Sequence, residues 1–259
     1  MMPGAMNPCW QDWHGKRVWL IGASSGIGAA LAQRLLAAGA RVAVTARDAA
    51  RLEQVALGQA LLLPFDATVP QAWSDACSSL QAQWGGFDLV VFCAAVYRPE
   101  RAWEVVADQA RQTLATNLNS VYYGLEAVLP PLLLQGSGGI AIIASVAGYL
   151  GLPGATVYGP SKAALINLAE LLYADLHPRG LGVYLINPGF VKTRLTAKNR
   201  FAMPALLTPE QAAEAIMAGL ARGRFEIDFP RRFTRLLRAF SLLPYRVRFA
   251  LLNRALKLQ

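Results

Sequence analysis

Short unbroken apolar runs alternate along the chain with longer segments whose apolar residues recur at helical spacing. Residues 17–21, 42–45, 61–65, 87–93, 139–144, 182–186 and 225–229 read as strands. Apolar runs of this length suit a sheet covered on both faces. Residues 26–38, 49–57, 71–84, 105–134, 157–176 and 209–222 carry the recurrence of helices, and Gly39 marks a helix stop. This alternation predicts an α/β fold, a doubly wound, mainly parallel seven-stranded sheet with helices on both faces. Residues 16–229 form one expected domain, with residues 1–15 as an N-terminal extension. Residues 230–259, punctuated by Pro230 and Pro244, read as a basic, apolar helical tail packed on the same domain.

Composition narrows the class. Hydrophobic residues make up 54% of the 259 positions and charged residues 16%, which argues for a packed core rather than disorder. Apolar runs stop short of membrane-spanning length, and residues 1–15 lack the pattern of a signal peptide. Three cysteines, Cys9, Cys77 and Cys93, have no ligand spacing, so neither a disulfide framework nor a metal site is expected. A cytoplasmic location is the expectation. The net charge of +9 is concentrated in one place. From Phe229 onward there are eight basic residues and no acidic one, leaving residues 1–228 with 17 basic and 16 acidic. The high pI therefore describes the tail and gives no reason to expect a nucleic-acid partner.

The first strand runs into Gly22-Ala23-Ser24-Ser25-Gly26-Ile27-Gly28. Glycines in such a turn permit tight bending and close backbone approach to a phosphate, and the following helix offers free N–H groups and a positive dipole end. A glycine-rich turn alone is also compatible with a plain tight turn; a strand before it and a helix after it favour a dinucleotide site. Arg47 ends the second strand, where an acidic residue would suit the ribose hydroxyl of NAD. An arginine suits the 2′-phosphate of NADP, so NADP(H) is the expected cofactor, with NAD(H) as the alternative. Asp48 follows and would cap the next helix.

Tyr158 and Lys162 are four residues apart at a helix start and share a face. A neighbouring ammonium would favour the phenolate and bring the tyrosine toward acid/base work at neutrality. Ser145 ends the fifth strand, and Asn117 is a polar residue inside the long helix. Read singly, these four have bland explanations: a core-edge tyrosine, a solvated lysine, a turn serine, a satisfied buried amide. Their joint order beneath a glycine turn changes that weighing.

In these residues the chain resembles the short-chain dehydrogenase/reductase family, in its compact single-domain branch with a Rossmann-like fold. The resemblance covers about residues 16–229. It implies a catalytic tetrad of Asn117, Ser145, Tyr158 and Lys162, with Asn117 resupplying protons through water. It implies a cofactor turn over residues 21–28, adenine contacts at Asp66 and Ala67, and further cofactor contacts at Ala94, Asn117, Tyr158 and Lys162. Asn187, Pro188, Gly189, Val191 and Thr193 match the segment that holds the nicotinamide end. The family also implies a homodimer or homotetramer. Two positions depart from its pattern: Phe92-Cys93-Ala94-Ala95 replaces the usual Asn-Asn-Ala-Gly, and Ile21 replaces a threonine. The first removes amides that brace the sheet and sets Ala95 at the cofactor edge.

Residues 96–98, 149–152 and 195–207 are candidate substrate-lining segments, and their apolar side chains suggest a hydrophobic carbonyl or alcohol, lipid-like in character. A mobile lid would explain the same residues. The tail interleaves arginines with leucines and phenylalanines, a pattern suited to an anionic membrane surface, with a subunit interface or an acidic carrier protein as alternatives. A non-enzymatic cofactor-binding or redox-sensing protein and a ketoacyl reductase acting on carrier-bound chains are the rival functions.

Overall fold

The computed structural model describes residues 4–199 and 201–257. Seven strands form one sheet in the order β3-β2-β1-β4-β5-β6-β7. They are β1 Arg17–Ile21, β2 Arg41–Thr45, β3 Leu61–Leu62, β4 Leu89–Phe92, β5 Gly139–Ile143, β6 Gly182–Pro188 and β7 Glu226–Phe229. Every pairing is parallel. The chain starts in the middle, builds outward to β3, then returns to β4 and builds the other way. That reversal opens a crevice at the strand C-termini between β1 and β4.

Alternating side chains of β1 serve two cores. Val18 and Leu20 face α1 (Gly26–Ala37), α2 (Ala49–Ala56) and α7 (Pro209–Ala221). Trp19 and Ile21 face α3 (Pro70–Trp84), the long helix and α6 (Tyr158–Leu176). The second core is aromatic: Trp19 packs on Trp73 at 5.6 Å and on Phe87 at 6.0 Å, and Trp73 packs on Phe92 at 5.8 Å. Gly124 makes room for this cluster, since a Cβ there would lie 2.4 Å from the Phe92 ring. Phe92, a departure from the family pattern, is thus a core residue.

The expected elements are present, and their limits shift for physical reasons. The third strand pairs over two residues rather than five; it is an edge strand, and its last ladder bond runs from Leu63 N to Val44 O at 3.0 Å, just before Pro64. The expected helix over residues 105–134 is α4 (Ala107–Leu114), a π turn at Ala115–Asn119 and α5 (Ser120–Gln135). β6 runs two residues further than expected because β7 pairs with Asn187 and Pro188.

Residues before β1 form a strap across β6. Asn7, fully buried, donates to Val183 O at 2.7 Å and accepts from Val183 N at 2.9 Å. β7 pairs with β6 only from Leu185 onward, so the Asn7 amide fills the place of a missing strand. Trp10 stacks on Trp13 at 5.6 Å and donates to Tyr184 Oη at 2.7 Å.

The tail is two helices, α8 (Arg231–Ser241) and α9 (Tyr245–Lys257). Thr234 is buried and donates to Asp228, while Arg238 pairs with Glu226 at 2.6 Å. These contacts seat α8 on β7. Positions 1–3, Arg200, Leu258 and Gln259, and the side chains beyond Arg254, lie outside the described residues. Among the described residues, no helix is long and apolar enough to cross a membrane.

Candidate active site

A cavity of about 400 Å³ occupies the crevice at the strand ends. Gly22, Ser24, Ser25, Gly26 and Ile27 line one wall. Gly22 has φ +89°, and a Cβ there would lie 2.5 Å from Ala94 N, so only glycine fits this turn beside β4. A Cβ on Gly26 would meet Thr193 at 2.9 Å. Gly28 lies outside the lining; a Cβ there would sit 2.4 Å from Gly22 O, so it lets α1 pack against the turn. Ser25 precedes α1 in an extended conformation and makes no side-chain cap, leaving first-turn N–H groups facing the cavity wall.

Arg47, Asp66 and Ala67 line the far end, joined by Asp48 and Arg51. Arg47 is mostly exposed and lies 3.9 Å from Asp66. Asp48 caps α2 by accepting from Arg51 N at 3.2 Å, and its carboxylate also pairs with the Arg51 side chain at 3.1 Å. Arg51, one helical turn beyond Arg47, was missed from the sequence, although its spacing was a usable signal. Arg194, also missed, lines the cavity and donates to Ser25 Oγ at 2.7 Å. It directly follows Thr193.

Ser145, Tyr158 and Lys162 lie together at the other end, with Pro188, Gly189, Val191 and Thr193 opposite. Ser145 lies two residues past β5 and accepts from Ala147 N at 3.1 Å, a short turn that holds its hydroxyl beside the strand end. That hydroxyl lies near enough to the Tyr158 phenol to favour its ionised form. Lys162 is buried and donates to Ile143 O at 2.9 Å, with Nζ 5.6 Å from the Tyr158 ring centre.

The expected effect of Lys162 on Tyr158 is not met in this structure. Burial pushes the Tyr158 phenol up to about 12, only partly opposed by the Ser145 hydroxyl. Burial also brings Lys162 down to about 8, with the neighbouring Cys93 working the other way. A lysine that has itself lost solvation and is held on a backbone carbonyl exerts little pull on the phenol.

Asn117 sits outside the cavity lining, buried in the π turn. Its Oδ1 accepts from Val96 N at 2.7 Å, and its Nδ2 donates to Val96 O at 2.9 Å and to Ser161 Oγ at 3.2 Å. The side chain is fully engaged in clamping the segment after β4 to α6. This brace stands where the Phe92–Ala95 departure removed the family's amides. Ala94 and Ala95 both line the cavity, as does Val96.

Of the candidate substrate segments, residues 96–98 reach Tyr158 directly. Tyr97 meets the Tyr158 ring edge-on at 4.9 Å and donates to Asn199 Oδ1 at 3.0 Å. Lys198 donates to Tyr97 O at 2.9 Å. Tyr149 donates to Glu226 Oε1 at 2.6 Å, and Asn187 donates to the same oxygen at 2.8 Å. The guanidinium of Arg238, from α8, lies 5.0 Å above the Tyr149 ring. One carboxylate thus ties the segment after Ser145, the end of β6 and the tail together.

A doubly wound parallel sheet with a glycine turn at its reversal point and Ser, Tyr and Lys at the strand ends is the architecture of Rossmann-like oxidoreductases. The chain belongs to the short-chain dehydrogenase family, whose model matches residues 16–203. It is 36% identical over 231 residues to an uncharacterized oxidoreductase of Myxococcus xanthus, covering 87% of this chain and 91% of the relative. An uncharacterized oxidoreductase of Staphylococcus aureus is 31% identical, covering 78% and 90%. A short-chain type dehydrogenase/reductase from Mycobacterium marinum superposes with a TM-score of 0.77 at 26% identity, covering 84% and 94%. One from Burkholderia phymatum, solved in complex with NAD, shares the fold at a TM-score of 0.80 and 23% identity, covering 88% and 93%.

Proposed function

We propose that the protein is an NADP(H)-dependent oxidoreductase that interconverts a carbonyl and a secondary alcohol on a hydrophobic substrate. The observation that carries this reading is one cavity with Ser145, Tyr158 and Lys162 at one end and Arg47 and Arg51 at the other. The cavity suits a dinucleotide. Its glycine cradle excludes side chains where a pyrophosphate would approach, and the α1 N-terminus favours negative charge. Arg47 and Arg51 would hold a 2′-phosphate, with Asp66 and Ala67 at the adenine. Pro188, Gly189, Val191 and Thr193 would hold the nicotinamide end.

The chemistry that a bound nicotinamide supplies is hydride transfer to or from the carbonyl carbon. The protein's part is the proton and the geometry. With its phenol near 12, Tyr158 is almost wholly neutral at pH 7, the form that donates a proton to a carbonyl oxygen. Ser145 donates a hydrogen bond to the same oxygen as negative charge develops there. Lys162, brought down to about 8 by burial, is poised to exchange protons around neutrality. Asn117 positions Val96 and α6, so its part is support of the cavity wall. Oxidation of an alcohol needs the phenolate, so its rate should rise steadily from pH 7 to 10.

A hydrophobic substrate is supported by Tyr97 against the Tyr158 ring and by the apolar Phe201 and Leu206, 40% and 42% exposed, in the candidate lining segment. The cofactor reading is tested by titrating NADPH and NADH while following nicotinamide fluorescence. The expected result is tighter NADPH binding in the wild type. Arg47→Glu should weaken NADPH by more than tenfold and leave NADH within about threefold, since it replaces a phosphate ligand by a like charge. Equal affinities in the wild type would contradict the NADP assignment.

A further inference from the structure

The last two helices both expose basic and apolar side chains, α9 more of the apolar ones. α8 turns Phe233, Leu237 and Phe240 inward, and Phe233 lies 5.7 Å from Phe190 in the segment that borders the cavity. Its outer positions carry Arg231, Arg232 and Arg235, with Leu236, 69% exposed, among them. α9 leaves large apolar side chains uncovered on two sides, Tyr245 with Phe249 on one and Val247 with Leu251 on the other. Tyr245, Val247, Phe249 and Leu251 are 68%, 45%, 55% and 45% exposed. Arg246 and Arg254 are exposed on the same helix, and Arg248 donates to Ser241 O at 3.2 Å, which fixes the corner between the two helices.

We propose that α9, flanked by the arginines of α8, docks on an anionic lipid surface. The pattern of charge selects this occupant. From Phe229 to the end the chain has no acidic residue, so a second copy meeting this face would oppose like charges. A surface of acidic headgroups over hydrocarbon satisfies both features at once, the arginines at the headgroups and the aromatic and aliphatic side chains at the acyl boundary. α9 is 13 residues long, enough to lie in that interface and too short to cross it. The Phe190–Phe233 contact would set the cavity's border on the lipid side.

The test uses the full chain and needs no substrate or cofactor, so it stands or falls apart from the proposed activity. The protein is co-sedimented with phosphatidylcholine vesicles and with vesicles that also contain phosphatidylglycerol. Binding is expected only to the latter, and to weaken as salt rises. Arg246→Gln and Arg254→Gln should each lower partitioning by about fivefold. The double variant Phe249→Gln, Leu251→Gln should abolish binding without lowering the thermal midpoint, because both side chains are exposed. Absence of binding to the anionic vesicles, or equal binding by the double variant, would overturn the proposal. So would a double variant that loses a subunit while the wild type ignores vesicles, which would assign the face to a second copy.

Discussion

The ammonium of Lys162 is buried, with Ile143 O at 2.9 Å replacing part of the water it has lost. Its proton affinity falls from 10.5 to about 8. A shift of that size corresponds to roughly 3 kcal/mol against the folded state. The penalty applies fully below pH 8, where folded and unfolded chains both hold the proton. Between about 8 and 10.5 only the unfolded chain holds it, so stability rises with pH through that window. Lys162→Met removes the penalty and leaves the Ile143 carbonyl unpaired, which returns about 1–2 kcal/mol. The variant should therefore be inactive yet melt about 2–6 °C higher at pH 7, by scanning calorimetry of the cofactor-free protein. The gain should fade toward pH 10, and a lower midpoint at pH 7 would contradict this account. The positions of Ser145, Tyr158 and Lys162 were legible in the sequence. The direction of the tyrosine shift was not, because it depends on how deeply the lysine is buried and what it donates to.

Asn117 belongs to the scale of elements. A π turn interrupts the long helix where Asn117 reaches across to Val96 and Ser161. Such a turn adds a residue to the helix and is frequent at functional sites. The sequence hinted at it only through an amide in a helix interior. Asn117→Ala would leave the N–H and carbonyl of Val96 without their partner, a loss of about 2–4 kcal/mol by urea unfolding. Cofactor affinity should fall with it, since Val96 lines the cavity. Unchanged stability would show that the clamp carries nothing. Most strands and helices were readable from apolar periodicity because each is buried on a regular face. The exceptions were set by neighbours: β6 is lengthened by β7, and β3, at the sheet edge, pairs with β2 alone and over only two residues.

For the whole molecule, the sheet order and its crevice follow from strand–helix alternation, which the sequence carries openly. The N-terminal strap does not. Asn7 substitutes for strand pairing at Val183, a contact 176 residues away that no local pattern announces. The junction at Glu226 is equally non-local, binding Tyr149, Asn187 and Arg238 from three separate segments. The strap lies at the start of β6, whereas the Glu226 junction braces its far end and the segment after Ser145. The central claim is that Tyr158 moves the proton. The most direct test measures NADPH oxidation with hydrophobic ketones by wild type and Tyr158→Phe, with NADPH affinity determined for both. The account predicts turnover lost by at least a thousandfold, about 4 kcal/mol of transition-state stabilisation, with affinity unchanged within about threefold. A variant that keeps wild-type turnover would contradict it.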